Sequence, residues 1–215
     1  MAFTLQLGDS APDFSLPGVD GRSYSLANFG DSPVLVIAWS CVHCPYVVGC
    51  EERMMQFDAD FKARGVAFVA INSNAESTYA DDGMEGMKAR AQERGFDFPF
   101  LRDETQELAL AYGALRTPHF YVFDAARKLR YTGRMDDSPR HPGKETTHEL
   151  RDAVEDLLAG REVALPLTNP IGCNVKWRDQ DKHWMPAEAC DLVLPKGNQP
   201  REKSRATAPK AMPTP

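Results

Sequence analysis

The feature that most constrains the fold is a pair of cysteines placed between a buried strand and the start of a helix. The run Val34–Trp39 is wholly apolar and rich in β-branched residues, which predicts a strand covered on both faces. The motif Cys41-Val-His-Cys44 follows closely, and next comes Pro45, a residue that the first turn of a helix tolerates but its interior does not. We therefore expect a strand–turn–helix unit with both cysteines at the turn.

Further along the chain, segments with the pattern of strands alternate with segments that have the spacing of helices. Residues 66–71 repeat the pattern of a buried strand, and residues 120–123 and 129–132 flank a short polar connection, which predicts a hairpin. Helical spacing is found after the cysteines and again in residues 108–115 and 147–159. The apolar stripe of the first helix comprises Val47, Cys50, Met54, Phe57 and Phe61. This order predicts an α/β fold with a largely parallel sheet, closed by the hairpin and the last helix.

Length and composition fit one domain with extra chain at its C-terminal end. The 215 residues suffice for a single well-filled core. We expect this domain over residues 1–165, opening with a short hairpin, and an extension over residues 166–194 that Trp177 and Trp184 anchor to it. Residues 195–215 are rich in proline, lysine, alanine and threonine and hold no aromatic residue, which predicts a disordered tail.

Charge and hydropathy exclude several classes of partner. The net charge of −6 disfavours nucleic acid, because phosphate binding needs a clustered positive surface. No segment approaches the roughly 20 apolar residues that span a bilayer, and the N-terminus lacks the pattern of a secretory signal. We therefore expect neither a nucleic-acid nor a membrane partner, and a cytoplasmic protein. In that reducing compartment a close cysteine pair indicates catalysis or metal binding more often than a structural disulfide.

The position of the two cysteines predicts thiol–disulfide exchange. A thiol at a helix N-terminus meets the positive end of the helix dipole and unpaired backbone N–H groups, both of which favour the thiolate. A protonated His43 between the cysteines would stabilise that thiolate further. We expect Cys41, the outermost, to attack a partner disulfide, and Cys44, which continues the apolar stripe, to be the shielded thiol that resolves the mixed disulfide.

Several stretches resemble a known family. Residues 8–21 resemble the opening of the redoxin superfamily, the alkyl hydroperoxide reductase/thiol-specific antioxidant group. Other motifs resemble a thioredoxin-like branch of it with a C-x-H-C-P-Y motif. They are Cys41-Val-His-Cys-Pro-Tyr-Val, Ala70-Ile-Asn-Ser-Asn, Phe98-Pro-Phe-Leu-Arg-Asp-Glu-Thr-Gln, Tyr112-Gly-Ala, Thr117-Pro, Gly133-Arg-Met-Asp-Asp and Gly172-Cys-Asn-Val-Lys-Trp. The resemblance implies a thioredoxin fold, a central mixed sheet flanked by helices with an N-terminal hairpin and a C-terminal extension.

The resemblance also implies a second part of the site. In thioredoxin folds a cis-proline loop lies against the cysteines and offers backbone groups to the partner, which makes Thr117 and Pro118 candidate substrate-binding residues. Arg116, where the branch often has a cysteine, is the third candidate substrate-binding residue; its guanidinium either adds positive charge near Cys41 or lies in solvent. The branch also has asparagine where this chain has Val42.

The proton acceptor for Cys44 stays open at this stage. Many thioredoxins carry a buried acid on the strand before the motif, where this chain has Leu35. Four acids in the segment after the second strand remain unranked candidates: Glu76, Asp81, Asp82 and Glu85.

Three functions compete. The first is an oxidoreductase that exchanges electrons with protein or small-molecule disulfides and needs no cofactor. The second is a thiol peroxidase, but peroxiredoxins need Thr or Ser three residues before the reactive cysteine, where this chain has Ala38. The third is a copper chaperone using Cys41, Cys44 and a histidine, since soft thiolates suit Cu(I); redoxin relatives of that kind use a C-x-x-x-C spacing. We expect no bound metal.

The remaining cysteines have different interpretations. Cys50 lies on the apolar stripe and is expected in the core. Cys173 belongs to the resemblance, which suggests either packing or a third redox thiol near the centre. Cys190 could pair with Cys173 under oxidising conditions, although a lone thiol fits the cytosol better.

Among other polar residues the expectations are plain. His119 follows the Thr-Pro pair and is expected to face solvent at a strand edge. The acidic pairs Asp81-Asp82 and Asp136-Asp137 are expected in solvated turns.

Overall fold

A mixed sheet of five strands with helices on both faces forms the centre of the computed structural model, which describes residues 3–186. In chain order the elements are β1 (Ser15–Pro17), β2 (Ser23–Ser25), β3 (Val34–Trp39), α1 (Pro45–Lys62), β4 (Val66–Asn72), α2 (Met84–Arg94), β5 (Phe100–Arg102), α3 (Glu107–Tyr112), β6 (Arg116–Thr117), β7 (His119–Phe123), β8 (Leu129–Gly133), α4 (Glu149–Leu158) and β9 (Cys173–Asn174). The central sheet has the order β5-β4-β3-β7-β8, with β3, β4 and β5 parallel and β7 and β8 antiparallel to their neighbours. This confirms the predicted α/β class and both hairpins.

The strand β3 separates two apolar cores. Val36 and Ala38 face the core that α1 and α4 cover, whereas Leu35, Ile37 and Trp39 face the core on the α3 side. Every residue of β3 is buried, as the unbroken apolar run predicts. The stripe predicted on α1 is also confirmed, because all of its members, Cys50 included, are buried.

Four elements were missed by the sequence patterns, namely α2, β5, β6 and β9, and one helix is shorter than predicted. Helix α2 buries only Met87, so it shows no apolar stripe, and β5 has only three residues. Helix α3 ends before Leu115 because Gly113 adopts the left-handed conformation at its C-terminus, with φ 62°. A side chain at Gly113 would also meet the Phe3 carbonyl at 2.0 Å.

The chain after α4 returns along the domain and reaches the Thr117–Pro118 loop. There β9 pairs with β6 in an antiparallel ladder. Trp177 is buried and packs edge-on against Phe3, and Trp184 packs against Trp177. The division of the chain at residue 165 stays a prediction, and the predicted tail 195–215 lies outside the described residues, as does Cys190. Within residues 3–186, no helix combines the length and apolarity needed to cross a bilayer.

Candidate active site

The two cysteines of the motif lie at the end of β3 and the start of α1, in contact with the loop before β7. Cys44 is the N-cap residue of α1, and Pro45 opens the helix. The Cys44 thiol donates to the carbonyl oxygen of Thr117 at 3.2 Å, and the Cys41 thiol donates to the Thr117 hydroxyl at 3.5 Å. Each thiol also shifts the pKa of the other, and the Thr117–Pro118 peptide bond is cis. The structure therefore brings Thr117 onto both sulfur atoms.

Burial of the sulfurs differs from the expected exposed-then-shielded order. Cys41 is 2% exposed and Cys44 is 0% exposed, so both are enclosed. The short 3-10 helix Ala80–Asp82 contributes to this enclosure through Asp82, whose carboxylate receives the Val42 N–H. Exposure therefore does little to distinguish the roles of the two thiols.

A third thiol joins the pair. The Cα partner of Thr117 in the β6–β9 ladder is Cys173, which packs against the buried cluster that holds Cys41 and Cys44. The thiol and the backbone N–H of Cys173 both lower the pKa of Cys44. The sequence left open whether Cys173 only packs in the structure or is a third redox thiol near the centre. The structure places Cys173 near the centre.

The electrostatics reverse the expected order of acidity. Hydrogen bonds from Cys173 and Cys41, joined by the Val47 N–H at the helix terminus, lower the pKa of Cys44. Burial raises the pKa of Cys41, and the nearby Asp82 carboxylate raises it further. The sequence predicts the lowered pKa at Cys41. The structure places it at Cys44, because Cys173 and Cys41 stabilise the Cys44 thiolate, whereas burial disfavours the Cys41 thiolate.

His43 is held in place by two neighbours. Its Nδ1 lies 2.6 Å from Oδ2 of Asp82, and its ring stacks on Tyr79 with centroids 3.6 Å apart. The imidazole side chain is 17% exposed, while Asp82 is fully enclosed. His43 is therefore positioned to exchange protons both with the site and with solvent.

Asp82 is the functional residue that the sequence patterns placed wrongly. It is not in a solvated turn: besides His43 it receives hydrogen bonds from the Val42 N–H and from the amides of Asn72 and Asn74. Burial pushes the pKa of Asp82 up, but these contacts outweigh it and lower the pKa below its ordinary value. The other three candidate acids are exposed: Glu76, Asp81 and Glu85.

One donor set has the spacing of a metal site. The ligand atoms of Cys41, His43 and Asp82 lie within 4.8 Å of one another. Both Asp82 oxygens, however, already accept hydrogen bonds from Val42, Asn72 and Asn74, and Nδ1 of His43 faces the same carboxylate. A metal ion would have to displace these contacts. The donors present therefore favour a hydrogen-bonded Asp82 carboxylate over a metal-binding site.

Arg116 lies on the other side of the sulfurs. It is half-buried, its guanidinium donates to the side-chain oxygen of Asn174, and its charge acts on Cys173. Arg116 is therefore beside Cys173 and not beside Cys41. A surface cleft of about 430 Å³ opens here, lined by His43, Tyr79, Arg116, Cys173, Lys176 and His183.

Two further expectations are wrong. His119 is buried, because β7 lies between β3 and β8; its Nε2 is 3.0 Å from the Thr132 hydroxyl, and burial lowers its pKa to about 3. Asp136 is also buried, since it accepts a 2.8 Å hydrogen bond from Arg53 of α1. Its neighbour Asp137 is half-buried, and its carboxylate accepts a hydrogen bond from the backbone N–H of Thr146.

The strand order, the helical cover and the dithiol at the start of α1 together define a thioredoxin-like protein. The Redoxin family model matches residues 6–152, and the chain belongs to the Redoxin family. This confirms the superfamily inferred from residues 8–21, while membership of the narrower C-x-H-C-P-Y branch stays a prediction.

Similar proteins are found among solved structures and among characterised sequences. An uncharacterised conserved protein of Geobacillus kaustophilus has 40% identity and a TM-score of 0.78, covering 84% of this chain and 96% of its own. The "Putative peroxiredoxin" of Mycobacterium tuberculosis is 29% identical over 133 residues, which is 60% of this chain and 78% of that protein. The "Thiol-disulfide oxidoreductase ResA" of Geobacillus thermodenitrificans is 25% identical over 134 residues, 60% of this chain and 71% of that protein.

Proposed function

We propose that this redoxin is a thiol–disulfide oxidoreductase that exchanges electrons with protein or small-molecule disulfides through Cys41 and Cys44. The observation that carries the proposal is the position of the two thiols at the N-terminus of α1, with Thr117 hydrogen-bonded to both. Similarity to a protein named a thiol-disulfide oxidoreductase supports the reaction class. The four described cysteines are free thiols, and we propose the cytoplasm as the compartment.

The reaction follows from these contacts in two exchanges. The Cys41 sulfur attacks a partner disulfide, forming a Cys41–partner bond while the partner's other sulfur leaves as a thiolate. The Cys44 thiolate then attacks Cys41, forming the Cys41–Cys44 disulfide and releasing the second partner thiol. Two electrons pass to the partner, and the proton from Cys41 passes to His43, whose charge Asp82 balances. The reverse sequence oxidises a partner dithiol.

The partner's binding surface differs from the one that the thioredoxin resemblance implies. Thr117 pairs with Cys173 of the same chain, so its backbone edge is already occupied. The cleft beside it carries Arg116, Lys176 and Lys182, positive charges in a protein of net charge −6. We therefore expect an anionic disulfide, or an acidic segment around a protein disulfide, to bind here.

His43→Ala should raise the pKa of the active-site thiols and make the reduction potential of the Cys41/Cys44 couple more negative. Two effects act in this direction: the imidazolium is lost, and the Asp82 carboxylate beside Cys41 loses its counter-charge. We expect a rise of about one pKa unit, equivalent to about 1.4 kcal/mol of thiolate stabilisation. Thiolate absorbance during a pH titration and equilibration with glutathione buffers measure the two quantities.

The matched control is His141→Ala, which removes an exposed imidazole outside the site. It should leave both quantities at their wild-type values. If His43→Ala also leaves them unchanged, the neighbouring thiols and the helix terminus set the thiol acidity, and His43 has no part in tuning it.

A peroxidase is the second candidate, and one observation favours it. Although Ala38 supplies no hydroxyl, the Thr117 hydroxyl lies 3.5 Å from the Cys41 sulfur. The similarity to a protein named a peroxiredoxin points the same way.

Peroxide turnover is nevertheless expected to be slower than disulfide exchange, because Ala38 stands three residues before Cys41, where peroxiredoxins have the hydroxyl that orients the peroxide. Hydrogen peroxide consumption with dithiothreitol as reductant, compared with the Cys41→Ser protein, measures this. Fast, saturable turnover that depends on both Cys41 and the Thr117 hydroxyl would make peroxidase the better assignment.

A further inference from the structure

Strand β9 of the same chain brings the thiol of Cys173 close to Cys41 and Cys44. Strand β9 lies on the Thr117–Pro118 loop, and Gly172 permits the close approach: a side chain there would meet the Thr117 carbonyl oxygen at 2.2 Å. That carbonyl also accepts the Cys44 thiol. Cys173, next in the chain, therefore packs against the buried cluster that holds Cys41 and Cys44, and both Cys41 and Cys173 lower the pKa of Cys44.

The three sulfurs differ in how a second molecule can reach them. Cys41 and Cys44 are 2% and 0% exposed, and neither lines the cleft beside β9. Cys173 is half-buried and does line it, together with Arg116 and Lys176. An external reductant would reach an enclosed disulfide between Cys41 and Cys44 less readily than a disulfide at Cys173, since exchange requires access to a sulfur atom.

We propose that Cys173 is a third redox-active thiol, which receives the Cys44 sulfur from Cys41 and so brings the disulfide to the surface cleft. The proposal rests on the proposed function, because it starts from the Cys41–Cys44 disulfide. The Cys173 sulfur attacks the Cys44 sulfur, the Cys44–Cys173 bond forms, and the Cys41–Cys44 bond breaks. Cys41 leaves as a thiolate and takes up a proton equivalent to the one that Cys173 gives up, so the oxidation state of the protein does not change.

Reduction then occurs at the surface. An external dithiol attacks Cys173, releases Cys44 as a thiol and closes its own disulfide, so two electrons enter and all three protein thiols are restored. The cleft at which this happens holds Arg116 and Lys176, and these cations suit a thiolate donor.

The charges around Cys173 fit attack only after the pair is oxidised. In the reduced protein the hydrogen bond to Cys44 is the main cause that raises the pKa of Cys173, and burial adds to it. Lys176 and Arg116 act in the opposite direction. Once Cys44 is part of a disulfide its charge is gone, while the two cations remain, and the Cys173 thiolate becomes easier to form.

Disulfide mapping of a Cys41→Ser variant tests the pairing. All proteins in the test also carry Cys190→Ser, because Cys190 lies outside the described residues. After equilibration with oxidised glutathione and alkylation of free thiols, peptide mass spectrometry should find Cys44 joined to Cys173. The Cys50→Ala variant is the matched control, since this buried thiol should not change the pairing. A Cys41→Ser protein that forms no Cys44–Cys173 disulfide overturns the proposal.

Reduction kinetics separate this inference from the proposed function. The Cys173→Ser variant should still form the Cys41–Cys44 disulfide, but dithiothreitol should reduce it about tenfold more slowly than the same disulfide in the protein with Cys173. Reduction at an unchanged rate contradicts the relay and leaves the dithiol assignment standing. Absence of a Cys41–Cys44 disulfide in the Cys173→Ser protein contradicts the proposed function instead.

Discussion

Replacing Cys41 with serine should abolish disulfide exchange, with the rate of insulin reduction falling on the order of 10³-fold or more. The first covalent bond to the partner forms at this sulfur in the proposed reaction, and a hydroxyl cannot replace a thiol in it. The measurement is insulin reduction with dithiothreitol as the electron source, corrected for the rate without protein. The Cys50→Ala variant should match the wild type, because Cys50 is buried against Pro139 and away from the exchange.

The companion variant Cys44→Ser should accumulate partners as mixed disulfides on Cys41, since the sulfur that releases them is gone. Non-reducing gels followed by peptide mapping identify the cysteine that holds the partner. The two variants together decide a question that acidity alone leaves open, because the lowered pKa belongs to Cys44 and the predicted nucleophile is Cys41. Partners trapped by Cys41→Ser and not by Cys44→Ser would reverse the two roles.

Replacing Asp82 with alanine should lower the free energy of unfolding by about 3 kcal/mol, because buried donors that now bind its carboxylate would be left without acceptors. The donors are the Val42 N–H and the amides of Asn72 and Asn74. Urea unfolding followed by tryptophan fluorescence measures the change. Asp81→Ala is the matched control, since Asp81 is the exposed neighbour on the same turn and its loss should have little effect.

The difference between the wild type and Asp82→Ala should depend on pH in a defined direction. The pKa of Asp82 is lowered in the folded protein, so its contribution is present above the unfolded carboxyl pKa of about 3.9. That contribution is lost as the pH falls through the lower, folded pKa. The stability difference should be full near pH 7 and shrink below about pH 4. A difference that is constant down to acid pH would show that the Asp82 charge plays no part.

The parts of the fold that could be predicted from the sequence are those in which local pattern and burial agree. The run before the cysteines, the helix opened by Pro45 and the stripe through Cys50 and Phe57 each occupy one continuous segment. Helix α2 could not be predicted in this way, because so little of its surface is buried that its sequence has no periodic apolar stripe. His119 was misplaced because a short polar start to a strand gives no sign that strands lie on both sides of it.

The site could be predicted only as far as the motif that carries it. Asp82 is placed beside the dithiol by Asn72 of β4, and Cys173 by the pairing of β9 with β6. Both residues are far from the motif along the chain, so no sequence pattern indicates that they lie near it. A signal for Asp82 did exist: Asn72 and Asn74 are polar residues at the C-terminal end of a buried parallel strand, beside the end of β3. Buried amides at that edge need a hydrogen-bond acceptor, and one of the acids that follow β4, Asp82, accepts from both.

The proposed function requires that Cys41 and Cys44 form a reversible two-electron couple. Equilibration of the wild-type protein with glutathione buffers of graded potential, followed by alkylation and peptide mass spectrometry, measures the fraction joined as a Cys41–Cys44 disulfide. We predict a single two-electron transition with a midpoint between about −270 and −120 mV, and its loss in the Cys41→Ser protein. A protein in which Cys41 and Cys44 stay separate thiols at every potential in this range would contradict the proposed function.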